Sequence, residues 1–249
     1  MSSEGIRILG LEGIPEIKPG DNLCRSIVTS LGDFRVEPGT LFVVAQKVIS
    51  KAEGRIVQLD SVVPSASALQ WAGKYDKDAR MVEVVFREAR RIVRMDRGVL
   101  IVETQHGFVC ANAGVDASNA PKGTVVLLPA DPDRSAAKLC ADLGHALNVQ
   151  VAVIISDTFG RPWRQGLTNI ALGVAGFSPV IDYRGQLDSY GRSLQSTVLA
   201  VADELAAAAE LVMGKTLGIP VAVVEGLHFT PSSGSGRELI RPPEEDLFR

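Results

Sequence analysis

Apolar residues in this chain cluster in two ways. Leu41 to Ala45, Val151 to Ile155 and Val221 to Val224 are short unbroken apolar runs, the length and make-up of buried strands. Gly5 to Leu11 alternates weakly, and Thr124 to Leu128 also reads as a strand. Val99 to Glu103 and Gly107 to Cys110 flank Thr104-Gln105-His106 as a hairpin would. Helical spacing runs from Asn22 to Leu31, with Asp21 as cap. It recurs from Ala79 to Met95 behind Asp78, with Met81, Val84, Val85, Ala89, Ile92 and Val93 on one face. Further helices are expected from about Ala136 to Leu147, behind the turn Asp131-Pro132-Asp133-Arg134-Ser135, and from Thr197 to Met213. Val63 to Ala72 reads as a connection with one helical turn. Asn169 to Phe177, small and apolar with Gly173 and Gly176, permits close backbone packing or a helix pressed on a sheet.

Strands outnumber helices and do not alternate with them regularly. The pattern therefore favours an α+β fold of mixed, largely antiparallel sheets with packed helices over a doubly wound one. No period of about 20 to 50 residues recurs, which argues against a repeat array. Residues 1–249 read as a single domain, with room for two subdomains. The stretch from about 230 to 249 is Ser- and Gly-rich and then passes through Arg241-Pro242-Pro243-Glu244-Glu245-Asp246; it is expected to be mobile.

Composition narrows the function classes. With 249 residues and 46% hydrophobic content the chain can bury a substantial core. Lys+Arg 26 against Asp+Glu 29 gives a net charge of -3, so no overall field favours nucleic acid or an anionic membrane. A small-molecule substrate is the better default. Cys24, Cys110 and Cys140 show neither a paired framework nor metal-ligand spacing. No charged and apolar leader is seen, and no run approaches the ~20 apolar residues of a membrane span. The expected location is the cytoplasm.

Chemistry concentrates in the stretch Ile154-Ile155-Ser156-Asp157-Thr158-Phe159-Gly160-Arg161-Pro162-Trp163-Arg164-Gln165-Gly166. An apolar run stops there in an acid, a hydroxyl and two arginines. Asp157 and Thr158 offer hard oxygen ligands to a divalent cation, and Arg161 and Arg164 can hold anionic groups through forked hydrogen bonds. The bland reading is a turn in which Asp157 caps a following helix and the arginines are solvated. Asn112-Ala113-Gly114-Val115-Asp116-Ala117-Ser118-Asn119, after the strand-like Gly107 to Cys110, brings a second carboxylate and tips the balance towards a site. Lys47 and Lys51, spaced i and i+4 just past Leu41 to Ala45, suit phosphate, although exposure is the commoner fate of a lysine. His106, His145 and His228 lack partner spacing and read as turn residues. Asp131 and Asp133 lack the glycine and distal glutamate of a calcium loop and read as helix caps. The loops Asp182-Tyr183-Arg184-Gly185 and Asp188-Ser189-Tyr190-Gly191-Arg192 suit recognition or plain surface turns. Neither a Walker loop nor a Gly-x-Gly-x-x-Gly element occurs, so any nucleotide is held in a less familiar way.

Taken in order, several of these segments form a pattern: Gly13-Ile14-Pro15-Glu16, Ser50-Lys51-Ala52-Glu53-Gly54-Arg55, Asn112 to Asn119, Asp157-Thr158-Phe159-Gly160-Arg161, Tyr190-Gly191-Arg192 and Ala202-Asp203-Glu204. From about Ile6 to Val224 the chain resembles the coenzyme F420-0:L-glutamate ligases. The resemblance implies a GTP-dependent amide ligase that attaches L-glutamate to the carboxylate of F420-0, then adds γ-linked glutamates through an acyl phosphate. It further implies magnesium or manganese, with potassium as an additional cation, and an intertwined homodimer. By the same resemblance Asp116, Asp157 and Thr158 are metal ligands, and Lys51, Asp116 and Asp157 carry catalysis. Ile14, Pro15, Glu16, Ile17, Gln46, Lys51, Asn119, Gly214, Lys215 and Gly218 fall to the nucleotide. Arg161, Arg164, Tyr190 and Arg192 fall to the acceptor on residue type and neighbourhood. Gln46 stands where the family often has serine or threonine. Gly214-Lys215-Thr216-Leu217-Gly218 replaces an acid-rich loop of archaeal members, leaving a further metal ligand unassigned. The flavin-binding domain that follows the ligase in many bacterial relatives is not seen. Two other readings stand beside this one: a metal-dependent phosphohydrolase or a ligase for another carboxylated acceptor, and a non-catalytic nucleotide-binding scaffold.

Overall fold

A computed structural model describes residues 5–246. The chain begins with β1 (Arg7–Gly10), α1 (Leu23–Leu31), β2 (Thr40–Ala45), α2 (Gln46–Ala52), β3 (Ile56–Gln58), α3 (Ala66–Tyr75) and α4 (Ala79–Glu88). It continues with β4 (Ala89–Asp96), β5 (Val99–Thr104), β6 (Val109–Ala111), β7 (Thr124–Val126), α5 (Pro132–Leu147), β8 (Val151–Arg161) and β9 (Arg164–Phe177). The last part holds β10 (Ile181–Asp182), β11 (Val198–Leu199), α6 (Val201–Met213), β12 (Val221–Glu225) and β13 (Pro231–Ser232).

The centre is a 6-stranded sheet in the order β1-β12-β2-β8-β9-β13. Only β2 and β8 run parallel within it; the other neighbours are antiparallel. The unbroken apolar runs are explained by cover on both faces. Phe42, Val44, Val153, Ile155, Val221 and Val223 pack under α1 and α5, while Leu41, Val43, Ala152, Ile154, Ala222 and Val224 pack under α6. Side chains alternate across a strand, so a strand covered on both sides needs apolar residues at every position. A second core gathers α3, α4 and β5, with Trp71, Val85, Leu100 and Val102 buried. The mixed α+β class with antiparallel sheets and packed helices is thus what the chain adopts. Among the described residues no helix is long and apolar enough to cross a membrane.

Several expected elements need correction. The cap of α1 is Asn22, whose side chain accepts from the Arg25 amide at 2.9 Å, while Asp21 accepts from the Lys18 amide. The connection before Ala72 is a helix of 10 residues, α3, capped by Ser65 and anchored by Ala68, Trp71 and Ala72. The expected helix from Ala79 to Met95 stops at Glu88, and Ala89 to Asp96 pairs with β5 instead. β8 does not stop at Ile155 but continues to Arg161, forming a hairpin with β9, so Asp157 caps no helix and Asn169 to Phe177 is strand. α5 begins at Pro132, with Asp131 accepting from the Arg134 amide. β11 precedes α6, which begins at Val201.

The segment expected as a mobile tail touches the body at several points: β13 pairs with Gly176 and Phe177, the Ser235 hydroxyl donates to Asp133 Oδ2, and the Gly236 amide donates to Asp133 Oδ1 at 2.6 Å. The part of that tail at 247–249 lies outside the described residues.

At Gly173 the backbone of β9 packs directly against the start of α5. A Cβ there would lie 2.2 Å from the Pro132 carbonyl oxygen, a backbone atom that cannot swing aside. Gly173→Ala is therefore expected to cost about 3 kcal/mol or more, measured by urea unfolding; a loss below about 1 kcal/mol would show that the interface gives way freely.

Candidate functional site

The parallel pair β2 and β8 places Ala45 opposite Ser156. Immediately past that level the two chains diverge in kind. β2 turns directly into α2, bringing Gln46, Lys47, Ser50 and Lys51, while β8 runs on as strand and presents Asp157 and Thr158. The carboxyl ends of parallel strands are where a chain leaving a sheet opens a crevice for ligands. Asp157 lies inside a strand, not at its end, but at the level where β2 has already left the sheet.

Asp116 comes from a separate segment. Asn112, Ala113 and Gly114 all have positive φ, at 52, 54 and 69°, which turns the chain sharply before Asp116 pairs back to Val126. Gly114 is required, because a Cβ would lie 2.6 Å from Leu128 Cδ2 in the core. Asp116 accepts from the Ser118 amide at 2.7 Å and the Ser118 hydroxyl at 2.9 Å, and Lys47 Nζ lies 2.7 Å from its Oδ2. Burial opposes ionisation of Asp116, yet the hydrogen bonds from Lys47 and Ser118 prevail and hold its pKa below the ordinary carboxylate value.

Asp157 has the opposite balance. Burial pushes its pKa up to about 6; the Thr158 amide, Lys47 and Lys215 pull downward, and the charge of Asp116 pushes upward. The two acids are therefore near enough to act on each other, with Lys47 acting on both. No ion pair within 4.0 Å involves Asp157 among the described residues. A carboxylate withdrawn from water without a matched cation has strong affinity for one.

Around these acids the expected residues fall into groups. Lys51 is only 5% exposed, and its ammonium reaches Glu16 Oε1 at 2.6 Å. The loop carrying Glu16 is anchored by buried Ile17 and partly buried Ile14, which leaves Pro15 and Glu16 at the surface. Gln46 is buried; its Oε1 accepts from Ser50 Oγ at 2.9 Å, while among the described residues neither its Nε2 nor the buried Ser156 Oγ has a hydrogen-bond partner. Asn119 is exposed with φ 53°. Thr158 Oγ1 donates to Asn169 Oδ1 at 2.6 Å and accepts from Lys215 Nζ. Asn169 Nδ2 in turn donates to Glu210 Oε2 at 2.9 Å, and Lys215 pairs with Glu210 at 3.5 Å. Gly214 and Gly218, both at positive φ, bound the turn that carries Lys215.

The arginine group is separate. Arg161 and Arg164 stand at the exposed tip of the β8–β9 hairpin, where Arg161 donates to the Gln165 carbonyl at 3.5 Å. Tyr190 is 89% exposed in a turn closed by hydrogen bonds between Asp188 and Arg192. Among the described residues no hydrogen bond or ion pair joins these four to Asp116, Asp157 or Lys51. Lys47, Asn169 and Glu210 join the site through the fold and not through any of the sequence motifs. Lys47 has a partial signal, the i and i+4 spacing with Lys51; Asn169 and Glu210 have none, because strand pairing and a helix end bring them in.

The donor set fits a divalent cation of the magnesium class in one particular way. Among the described residues no group of three or more His, Cys, Asp or Glu converges as a protein cage would require. Magnesium is commonly held by one or two carboxylates together with substrate phosphates and water. Asp116, Asp157 and the Thr158 hydroxyl offer that kind of set, with Lys47 beside it for phosphate oxygens and Lys51 one turn further along α2. A depression of about 520 Å³ lies elsewhere, between Asp133, Cys140, Val174 and Ser235. Its one acid, Asp133, is already committed to the backbone amides of Val174 and Gly236.

Comparison with known proteins bears on the same residues. The family model described as F420-0:Gamma-glutamyl ligase matches residues 13–226. The chain is 45% identical over 250 residues to the coenzyme F420:L-glutamate ligase of Methanothermobacter thermautotrophicus, covering 98% of this chain and 99% of that protein. It is 42% identical over 245 residues to the protein of the same name from Methanocaldococcus jannaschii, covering 98% and 97%. The Archaeoglobus fulgidus protein of that name is likewise 42% identical over 245 residues, covering 98% and 96%. The matched span contains Asp116, Asp157, Thr158, Lys51 and the loop around Glu16, and on that extent and identity this chain belongs to the F420-0:gamma-glutamyl ligase family.

Proposed function

We propose that this chain is a GTP-dependent ligase that joins L-glutamate to the carboxylate of coenzyme F420-0 and then extends the product through γ-linkages. The observation that carries the reading is that Lys47 binds Asp116, from a tight turn, and that the charges of both act on Asp157, in the central sheet beside the end of β2. A scaffold protein has no use for a half-buried acid without an ion pair there.

The reaction needs an activated carboxyl, because a carboxylate is a poor acceptor for an amine. An oxygen of the acceptor carboxylate attacks the γ-phosphorus of GTP, the bond from that phosphorus to the β-phosphate oxygen breaks, and GDP leaves. The glutamate nitrogen then attacks the acyl carbon, the carbon–nitrogen bond forms, phosphate departs, and the amine gives up its proton. A magnesium or manganese ion held by Asp116, Asp157 and Thr158 would neutralise phosphate charge. Lys51 offsets the charge that grows on the transferring phosphoryl group, its stem fixed by burial in α2. Lys47 holds Asp116 ionised. Asn169 orients the Thr158 hydroxyl. The loop 14–17, Gln46, Asn119 and the 214–218 turn are assigned to the nucleotide. Arg161, Arg164, Tyr190 and Arg192 are assigned to the anionic groups of the acceptor.

The test is mass spectrometry of the acceptor after incubation with GTP, L-glutamate and either metal, wild type beside Asp157→Ala, with potassium present or replaced. One added glutamate per GTP split is expected with wild type only. GTP splitting without acceptor would point to a hydrolase, and no mass gain on F420-0 would sink the substrate assignment.

The homodimer rests on the outer strand of the sheet β4-β5-β6. Ile92 and Met95, on the same sheet face as Val102 and Leu100, remain 42% and 38% exposed on β4. A second copy covering these side chains would complete that core. Register shifts between Ala89 and Arg91 and between Ile92 and Arg94 make β4 a poor template for ladder extension, so side-chain packing is the expected mode. Ile92→Lys with Met95→Lys should halve the mass seen by sedimentation; a wild type that sediments as a monomer at micromolar concentration would remove the proposal.

A further inference from the structure

β8 and β9 do not keep one register. Val153, Ile154 and Ile155 face Ala175, Val174 and Gly173, but Ser156, Asp157 and Thr158 face Ala171, Ile170 and Asn169. Leu172 is the extra residue of a bulge, placed where the buried part of β8 gives way to the acid and hydroxyl of the site. The shift has a chemical consequence. Had the first register continued, Thr158 would face Ile170, whose side chain cannot accept its hydroxyl hydrogen. With the bulge, Thr158 faces Asn169 and donates to its Oδ1 at 2.6 Å.

A bulge leaves strand amides to be satisfied from elsewhere. On its outer edge β9 is paired by β13 only at Gly176 and Phe177. Two carboxylates reach that edge from helices that pack on opposite faces of the sheet. Asp203, in the first turn of α6, accepts the Ala171 amide at 2.8 Å, and Asp133, in the first turn of α5, accepts the Val174 amide at 3.0 Å. They bracket the bulge. Asp133 is further held by the Gly236 amide and the Ser235 hydroxyl, whereas the Asp203 carboxylate has the Ala171 amide as its one hydrogen-bond partner among the described residues. Asp203 therefore serves the bulge alone.

We infer that Asp203 is a positioning residue for the ligase reaction: by fixing the Ala171 amide it locks the β9 bulge, and through it the pairing of Asn169 with the Thr158 hydroxyl beside Asp157. This rests on the site assigned above. Asp203 itself touches no reacting atom, and its effect travels through two strand residues. Its carboxylate acts as an acceptor, so an asparagine, which keeps a side-chain oxygen, can replace it, whereas alanine cannot.

The experiment pairs amide hydrogen exchange over residues 168–174 with steady-state kinetics on the full chain. Asp203→Ala should speed exchange at Ala171 by about tenfold or more and lower kcat by about tenfold, leaving KM for GTP within about twofold. Asp203→Asn should restore both to within about threefold of wild type. Asn169→Leu should lower kcat similarly while Ala171 stays protected, which keeps the inference testable even if Asp203→Ala does not fold. Wild-type exchange in Asp203→Ala, equal losses in the asparagine and alanine variants, or an undiminished kcat in Asn169→Leu would each overturn it. If the wild type added no glutamate to F420-0, the ligase reading would fail, while exchange at Ala171 would still decide whether Asp203 pins the bulge.

Discussion

Asp157→Asn should reduce glutamate addition by about a thousandfold, equivalent to about 4 kcal/mol of transition-state stabilisation, and should at the same time make the protein more stable above about pH 6. Both effects have one cause. Asp157 is withdrawn from water and has no matched ion pair, and burial lifts its pKa from 3.8 to about 6. The folded protein therefore holds that proton more tightly than the unfolded chain does. The stability this confers is present in full below the unfolded value and is lost as pH rises through about 6. At pH 7.5 the ionised carboxylate then costs on the order of 3 kcal/mol, a cost the uncharged amide avoids. Urea unfolding without divalent cation should accordingly show the variant ahead of wild type at pH 7.5 and level with it near pH 4. Adding magnesium and GTP should stabilise wild type and leave the variant almost unmoved. Full turnover in the variant, or a stability difference unaffected by pH, would mean that Asp157 is not the acid that receives the cation.

Asp157 also marks how far fold and site are legible in the sequence alone. The unbroken apolar runs of β2, β8 and β12 reveal strands covered on both faces, because every position of such a strand is buried whichever way it points. Asp157 stands out because an acid ends one of those runs. Its true place, in the middle of an 11-residue strand, is hidden because Thr158, Gly160 and Arg161 break the apolar run and leave only Phe159 buried beyond it. The false helical signal from Ala89 to Met95 has a sharper cause. Pairing with Thr104, Val102 and Leu100 puts Ala89, Ile92 and Met95 on one face, and the two register shifts in β4 stretch the usual strand period from two residues to three. A spacing of three imitates one face of a helix. α3 escapes notice for the opposite reason: Ser65 to Gly73 is so small and weakly apolar that its buried face, Ala68, Trp71 and Ala72, hardly registers as a pattern. The contacts of Thr158 with Asn169 and Lys215 depend on a bulge and on a turn after α6, and such long-range register leaves no trace in local spacing.

Lys51→Ala should lower kcat/KM for GTP by about a hundredfold, or about 3 kcal/mol, the usual effect of removing one preorganised charge-stabilising donor. The lysine is well suited to that role, since its side chain is all but buried in α2 while its ammonium emerges beside exposed Glu16. Glu16 neutralises the ammonium at a strongly solvated position, so phosphate can compete for it at little cost. Alanine, however, removes packing as well as charge, and a buried stem contributes to stability in its own right. Lys51→Met separates the two, since it keeps an unbranched stem of similar length without the ammonium. If charge is what matters, the methionine variant should unfold close to wild type in urea yet remain about a hundredfold slow. Arginine should not restore the rate, because its planar fork does not fit a position shaped for a point charge. Wild-type turnover in Lys51→Met would reduce Lys51 to a packing residue and shift phosphate recognition to Lys47, which already holds Asp116 and lies one turn earlier on the same helix.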